Sequence, residues 1–361
     1  MRLWRYIVAA LTACLCLTSL SAVASDLQTD VAEEAVHGEE TADVDVAELV
    51  FGHIGDSYGW HLTTWKGEHI TIPLPCIVHS STGWHVFMSS KLEHGHVYEG
   101  LFISEDGKIM EMLPDGSIKR PFDISITKNV ASLMVSALLL ILIVLGTARW
   151  YKKHDTVKEG SPKGFAGLVE MLVMMVTDDL IKPSIDEKYY RKYTPFLLTV
   201  FFFIFLSNLL GIVPFFPGGA NVTGNIAVTM VLALFTFFMV NIFADKHYWK
   251  EILWPDAPIF LKFPLPIMQV IEIFGMISKP FSLMVRLFAN ILAGHAMILG
   301  LVAVIFVTAK MGPVLSGSMT AITVVFGVFM DCLELLVAFI QAYVFTMLSA
   351  VFIGMSRQGG H

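Results

Sequence analysis

Two apolar runs, residues 264–309 and 313–354, constrain this chain most, because each carries groups that hydrocarbon resists. The first contains Arg286 within Leu-Met-Val-Arg286-Leu-Phe-Ala-Asn290-Ile-Leu-Ala-Gly294-His295. An arginine cannot shed its charge, and placing one near the middle of a bilayer costs at least about 2.5–3.5 kcal/mol. The second run holds Asp331, Glu334 and Gln341. Both exceed the roughly 20 residues that a perpendicular span requires, so the segments must tilt strongly or run partly in the membrane plane.

Helical geometry sorts these residues into layers. At about 100° per residue, Ser282, Arg286, Asn290 and Ala293 share one stripe, which Lys279 and Glu272 extend backwards. His295 is turned to the opposite face and lies about 13 Å further along the axis. In the second run Glu334, Ala338 and Gln341 share a face, with Gln341 about 10 Å beyond Glu334 and Asp331 on the flank. A short connection makes the two helices antiparallel, which sets His295 level with Glu334 and Arg286 level with Gln341. Parallel helices could not match both pairs. The residues therefore describe one titratable layer and one permanently cationic layer at different depths.

Hydrophobic residues make up 55% of the chain and charged residues 15%, which indicates a polytopic membrane protein rather than a soluble enzyme. The net charge of −7 conceals a division: residues 26–125 hold 18 acids against 5 Lys/Arg, and the remainder is basic. Because positive residues stay on the cytoplasmic side, the acidic part is expected outside. Arg2 and Arg5, the apolar run 6–20 and Ala22-Val23-Ala24 read as a signal peptide, residues 1–24, removed in the mature protein; the alternative is an uncleaved first helix. Cys14 and Cys16 would leave with it. Cys76 and Cys332 are too few for a disulfide framework or a metal site, and Cys332 reads as a small packing residue.

Residues 25–125 form an acidic extracytoplasmic segment, expected to be β-rich from about residue 53. The runs 69–72, 84–88 and 100–104 are strand-like, and Asp106-Gly107 and Asp115-Gly116 are hairpin signals. Its histidines lack metal-binding spacing, and it is expected to be an appended element, separable from the work of the two polar layers. Residues 126–361 form the membrane domain. Helices are expected near 129–150, 163–181, 193–216, 223–243, 264–309 and 313–354. Glu170, Asp178 and Asp179 interrupt the second, which is expected to lie along the cytoplasmic surface. The stretch 248–266, with Lys250 and Lys262, is expected to be a loop. Arg149, Lys152 and Lys153, together with Lys188, Arg191, Lys192 and Arg357, mark the cytoplasmic ends, whereas Lys310 is the lone basic residue of an outside loop. The fold class is thus an all-α polytopic membrane protein with about five spanning helices. An interfacial helix and a small β-rich N-terminal segment complete it.

The motif Arg286-Leu-Phe-Ala-Asn290-x-x-x-Gly294-His295, followed by Glu334 and Gln341-Ala-Tyr-Val-Phe, resembles subunit a of the F-type ATP synthase. So do Glu272-Ile-Phe-Gly-Met-Ile-Ser-Lys279-Pro280-Phe-Ser282 and Ser207-Asn208-Leu-Leu-Gly-Ile-Val-Pro214; the likeness covers roughly residues 165–355. The resemblance implies that Arg286 faces a rotating ring of c subunits and separates two proton half-channels, with a glutamate and a histidine lining the outer one. Some members carry the glutamate on the arginine helix. This chain has the reverse, His295 and Glu334, similar to the mitochondrial type. Ala289 stands where that family often has glycine, a small-for-small change.

The same resemblance implies peripheral-stalk b subunits and the rest of the ATP synthase as partners. No cofactor, metal or nucleic acid is expected, and together with the charge division and the signal segment the resemblance gives a bacterial inner-membrane setting with a periplasmic N-terminal segment and a cytoplasmic C-terminus. Asn208 is expected either to line a channel or to hydrogen-bond a neighbouring helix. Asp331 is expected to join the outer path, Lys279 to snorkel towards the cytoplasmic end, and Glu272 to sit in a cytoplasmic vestibule or join proton exit.

Two other function classes compete. A proton-coupled secondary transporter should show broken helices, a midplane substrate site and internal repeats, and no repeat is visible. An intramembrane hydrolase needs a metal or nucleophile motif such as H-E-x-x-H or G-x-S-x-G, which the chain lacks. A Walker lysine loop is also absent, so nucleotide chemistry belongs to another subunit and the chain is not catalytic alone.

Overall fold

A computed structural model describes residues 55–65, 68–92, 95–104, 107–113, 115–154, 162, 164–213, 217–254, 267–309 and 313–357. The expected signal segment, the acidic stretch up to residue 54, Lys262 and Lys310 lie outside these described residues.

Among the described residues, eight strands precede the long helices. β1 (Gly59–Trp65) and β2 (Glu68–Pro73) form an antiparallel ribbon. β3 (Pro75–Ser80) lies between β4 (Gly83–Met88) and β8 (Phe122–Asp123), while β5 (Leu101–Ile103), β6 (Ile109–Met112) and β7 (Ile118–Lys119) make a third small sheet. Gly107 and Gly116, at φ 70° and 81°, take the left-handed conformation in the turns on either side of β6. Alternation along β3 turns Cys76 and Val78 inward, against Phe87, Leu92, Leu101 and Ile109. Burial pushes the Cys76 thiol up to about 12, which keeps it an inert packing group. The opposite face of β4 leaves Trp84, Val86 and Met88 exposed, with Phe122 of β8 also exposed.

This β module is fastened to the helices at two places. The Asp56 carboxylate accepts hydrogen bonds from the backbone N–H of Ser57 and of Asn129, both at 3.0 Å, while Lys128 N donates to Ser57 O. Asn129 belongs to the first turn of α1 (Lys128–Lys153), where helix N–H groups lack intrahelical partners and carry partial positive charge. Desolvation raises the Asp56 carboxyl above its ordinary value, and these hydrogen bonds partly offset that. The second fastening is the Trp60 indole, which donates to Gly218 O at 3.3 Å.

After α1 come α2 (Phe165–Met175), prolonged by a π-helical turn (Val176–Ile181) and the short turn Lys182–Ser184, then α3 (Tyr190–Ile212) and α4 (Ile226–Ile242). α3 ends one residue before an extended Val213, as expected ahead of Pro214. Asn225 caps α4, its side-chain oxygen accepting from Ala227 N at 2.9 Å. α5 (Lys246–Leu253) follows at 102° to α4. This corrects the expected loop at 248–266: extended Asp245 starts a short amphipathic helix that buries only Ile252. α6 (Ile267–Ala309) and α7 (Pro313–Arg357) have 43 and 45 residues, each about 65 Å long and roughly twice the bilayer's hydrocarbon thickness. Among the described residues, four helices are long and apolar enough to cross a membrane, or five if α4 and α5 count as one bent span.

The core forms where α3 meets α7 and α6. Tyr193, Leu197, Phe201 and Ile204 recur at helical spacing along α3 and are fully buried with Leu283, Leu287, Ala342, Phe345, Ala350 and Ile353. Alanines and serines on α7 let these helices approach closely. At its far end Arg357 donates to Tyr193 OH at 2.9 Å and to Asp245 Oδ1 at 3.0 Å, with its guanidinium over the Tyr189 ring. Asp245 N in turn donates to Ser356 O. Cys332, expected to pack, is exposed on α7.

Gly354 makes the tightest approach in this region: a methyl group there would stand 1.9 Å from the Ser184 carbonyl oxygen. Gly354→Ala is therefore expected to destabilise the α7 end by about 1–3 kcal/mol. Thermal unfolding in detergent should show the loss, and an unchanged midpoint would contradict this packing.

Candidate functional site

α6 and α7 run antiparallel, and their polar side chains meet in two layers. In the first, Gln341 Nε2 donates to the main-chain oxygen of Arg286 at 2.7 Å, and Gln341 Oε1 accepts from Asn290 Nδ2 at 3.1 Å. Gln341 is only 4% exposed, so both ends of a buried amide are satisfied by one short stretch of α6. The Arg286 side chain points the other way. It is exposed beside Ser282, Asn290 and Ala293, and its guanidinium makes no hydrogen bond or ion pair among the described residues. Phe281 and Val285 flank it, both exposed, so a permanent cation stands on an apolar helix surface.

The second layer is the pair His295 and Glu334, with His295 Nδ1 against Glu334 Oε1 and side chains 17% and 7% exposed. The imidazole is the group set against a carboxyl so withdrawn from water, although Nδ1 and Oε1 do not meet in hydrogen-bond geometry. Glycines border the pair on two sides. A methyl group on Gly294 would lie 3.4 Å from Glu334 Oε1; one on Gly211 of α3 would lie 3.6 Å from both His295 Nε2 and Ala220 O.

Asn208 lies between the layers. It is 2% exposed, its Nδ2 donates to Ala338 O at 3.3 Å, and its Oδ1 accepts from Thr223 Oγ1. Of its two expected roles, the structure shows the hydrogen bond to a neighbouring helix. The remaining candidates stand outside the layers. Asp331 is exposed on α7, and half-buried Glu272 is near enough to Tyr248 of α5 to act on it electrostatically. The Lys279 ammonium lies 5.6 Å from the centre of the Phe352 ring, near the Arg357 end of α7. The aromatic face holds the cation against the neighbouring helix. Sequence reasoning missed Gly211, Ala220 and Thr223 as neighbours of the layers. Gly211 was within the quoted Ser207–Pro214 motif; the other two carried no signal. Among the described residues, no group of three or more His, Cys, Asp or Glu could hold a metal ion.

Residues 131–354, spanning nearly all of α1 to α7, match the family described as ATP synthase A chain. The chain belongs to this family. It is 40% identical to ATP synthase subunit a of Chloroherpeton thalassium over 264 residues, covering 70% of this chain and 74% of that protein. It is 37% identical to ATP synthase subunit a of Myxococcus xanthus over 305 residues, covering 81% and 90%. Residues 49–129 match a second family, described only as a domain of unknown function. The two matches meet at the first turn of α1, where the β module is fastened.

The register of α6 on α7 can be tested directly. In membranes, the pair Asn290→Cys with Gln341→Cys is expected to cross-link with a short thiol-reactive reagent. The pair Asn290→Cys with Glu334→Cys, displaced by about 10 Å along α7, is expected not to. The reverse result would mean that the helices are offset from the register described.

Proposed function

We propose that this chain is the membrane stator subunit of an F-type ATP synthase, forming two offset proton half-channels against a rotating ring of c subunits. The observation that carries the reading is the split character of Arg286. Its main chain is tied to Gln341, while its charge is presented outward on an apolar face without a partner among the described residues. A cation held this way calls for an anionic group supplied by another subunit, and a ring carboxylate fits. Family membership supports the same reading. The unbroken lengths of α6 and α7, 43 and 45 residues, speak against the discontinuous helices of a secondary transporter.

Protons enter from the outside near Glu334 and His295 and pass to a ring carboxylate, which becomes neutral and can travel through lipid. After nearly a full turn the carboxyl reaches the cytoplasmic half-channel and releases its proton. The carboxylate is then drawn to Arg286. A guanidinium favours the ionised form of any carboxyl beside it, so it disfavours direct proton passage from one half-channel to the other. Asn290 and Gln341 hold the arginine helix at its depth; Ser282 lies on the same exposed stripe. In this reading the β module is periplasmic, the C-terminus cytoplasmic, and b subunits hold the stator.

Arg286→Ala is expected to abolish ATP-driven pumping while permitting passive proton leak, and Arg286→Lys to fail as well, since a compact ammonium lacks the planar multi-donor reach. Acidification of inverted vesicles on ATP addition is the measurement. Near-normal pumping by either variant would sink the assignment.

His295→Leu and Glu334→Leu are each expected to slow proton flow strongly. The exchange His295→Glu with Glu334→His should recover more activity than either half alone, because the same two groups still meet. Strict additivity in the double-mutant cycle would show that the pair does not act together.

A further inference from the structure

We propose that the β module is a working wall of the outer half-channel, and that Trp60 is a positioning residue for the His295–Glu334 pair. The inference rests on the proton-handling role given to that pair above. Trp60 is almost fully buried, and its indole N–H holds Gly218 O in the connection between α3 and α4. That connection is itself tightly held: Gly219 N donates to Leu210 O, Thr223 Oγ1 donates to Asn208, and Ala220, Asn221, Val222 and Thr223 are all buried. Two residues beyond Gly218, Ala220 O shares with His295 Nε2 the space beside Gly211, each 3.6 Å from where a methyl group on that glycine would stand. Hydrogen bonds thus tie β1 to the α3–α4 connection, and that connection and the imidazole both border Gly211.

The module also has its own footing, because Asp56 and Ser57 bond the first turn of α1. Trp60 is therefore braced on a fixed body, not carried along by the connection it holds. Gly211 borders His295 Nε2 and the Ala220 carbonyl borders Gly211, so a small shift of the connection alters the room beside His295. The segment expected to be separable from proton transfer instead helps shape its inlet.

The test uses the assembled complex in membrane vesicles. Trp60→Phe keeps an aromatic ring but loses the donor; Trp60→Ala loses both; Trp84→Ala, on the exposed face of the same module, is the control. The rate of proton flow per assembled complex is measured against outside pH. Trp60→Phe is expected to assemble normally, to run about threefold slower, and to show a displaced pH midpoint. Trp60→Ala should be slower still, and Trp84→Ala unchanged. The inference is overturned if both Trp60 variants keep the normal rate and midpoint, or if only the amount of complex falls. A lower rate with an unmoved midpoint also overturns it, since general loosening slows flow alike at every pH. His295→Leu, run in parallel, separates the two readings. Normal flow in that variant removes the proposed function itself, whereas impaired flow there with normal Trp60 variants removes only the role of the β module.

Discussion

The hydrogen-bonded bridge from Gln341 to Arg286 and Asn290 fixes how the two longest helices sit against each other. A buried amide left without partners costs about 1–3 kcal/mol, and a slip of one helical turn would strip both its bonds. The same slip would separate Glu334 from His295 and leave a carboxyl buried alone, a larger penalty. Leu, Ile, Val and Phe contacts along α6 and α7 cannot enforce register this way, because apolar side chains pack nearly as well one turn away and lipid competes for them. The few polar groups set the depth. The apolar majority supplies adhesion once that depth is chosen.

From this follows a separation of duties at one residue. Arg286 gives its carbonyl to the scaffold and its guanidinium to the surface. Membrane arginines usually find their partners within the bundle, yet here the nearest acid of the opposing layer, Glu334, is already taken by His295. Burying two ionisable groups against each other therefore leaves the third available. Gly294 and Gly211 contribute by omission: neither puts side-chain atoms where the imidazole and carboxyl meet.

Much of this was legible in residue spacing. The stripes through Arg286 and through Glu334, Ala338 and Gln341 need only helical periodicity, and an antiparallel hairpin then pairs the layers without further information. The turns at Gly107 and Gly116 were equally readable, since Asp-Gly announces a positive φ. What escaped depends on contacts between distant segments. Lys279 shares a stripe with Arg286 by angle, and its contact with Phe352 on another helix carried no signal in the spacing. Asn208 could have faced water or protein, and only the position of Ala338 decided between them. The Trp60–Gly218 contact joins residues 158 apart, and neither one advertises the other. α5 is too short to show a convincing period, so it read as loop.

The clasp at the end of α7 carries a consequence for biosynthesis. Arg357 reaches Tyr193 at the start of α3 and Asp245 at the start of α5, so a stretch made after both long helices fastens parts made well before it. A chain truncated ahead of Arg357 would still contain Arg286, His295, Glu334 and Gln341. It would carry every polar group of both layers and yet lack the ties that close the bundle's far end. The fold thus withholds full closure until translation has passed Gln341, the last residue of the two polar layers.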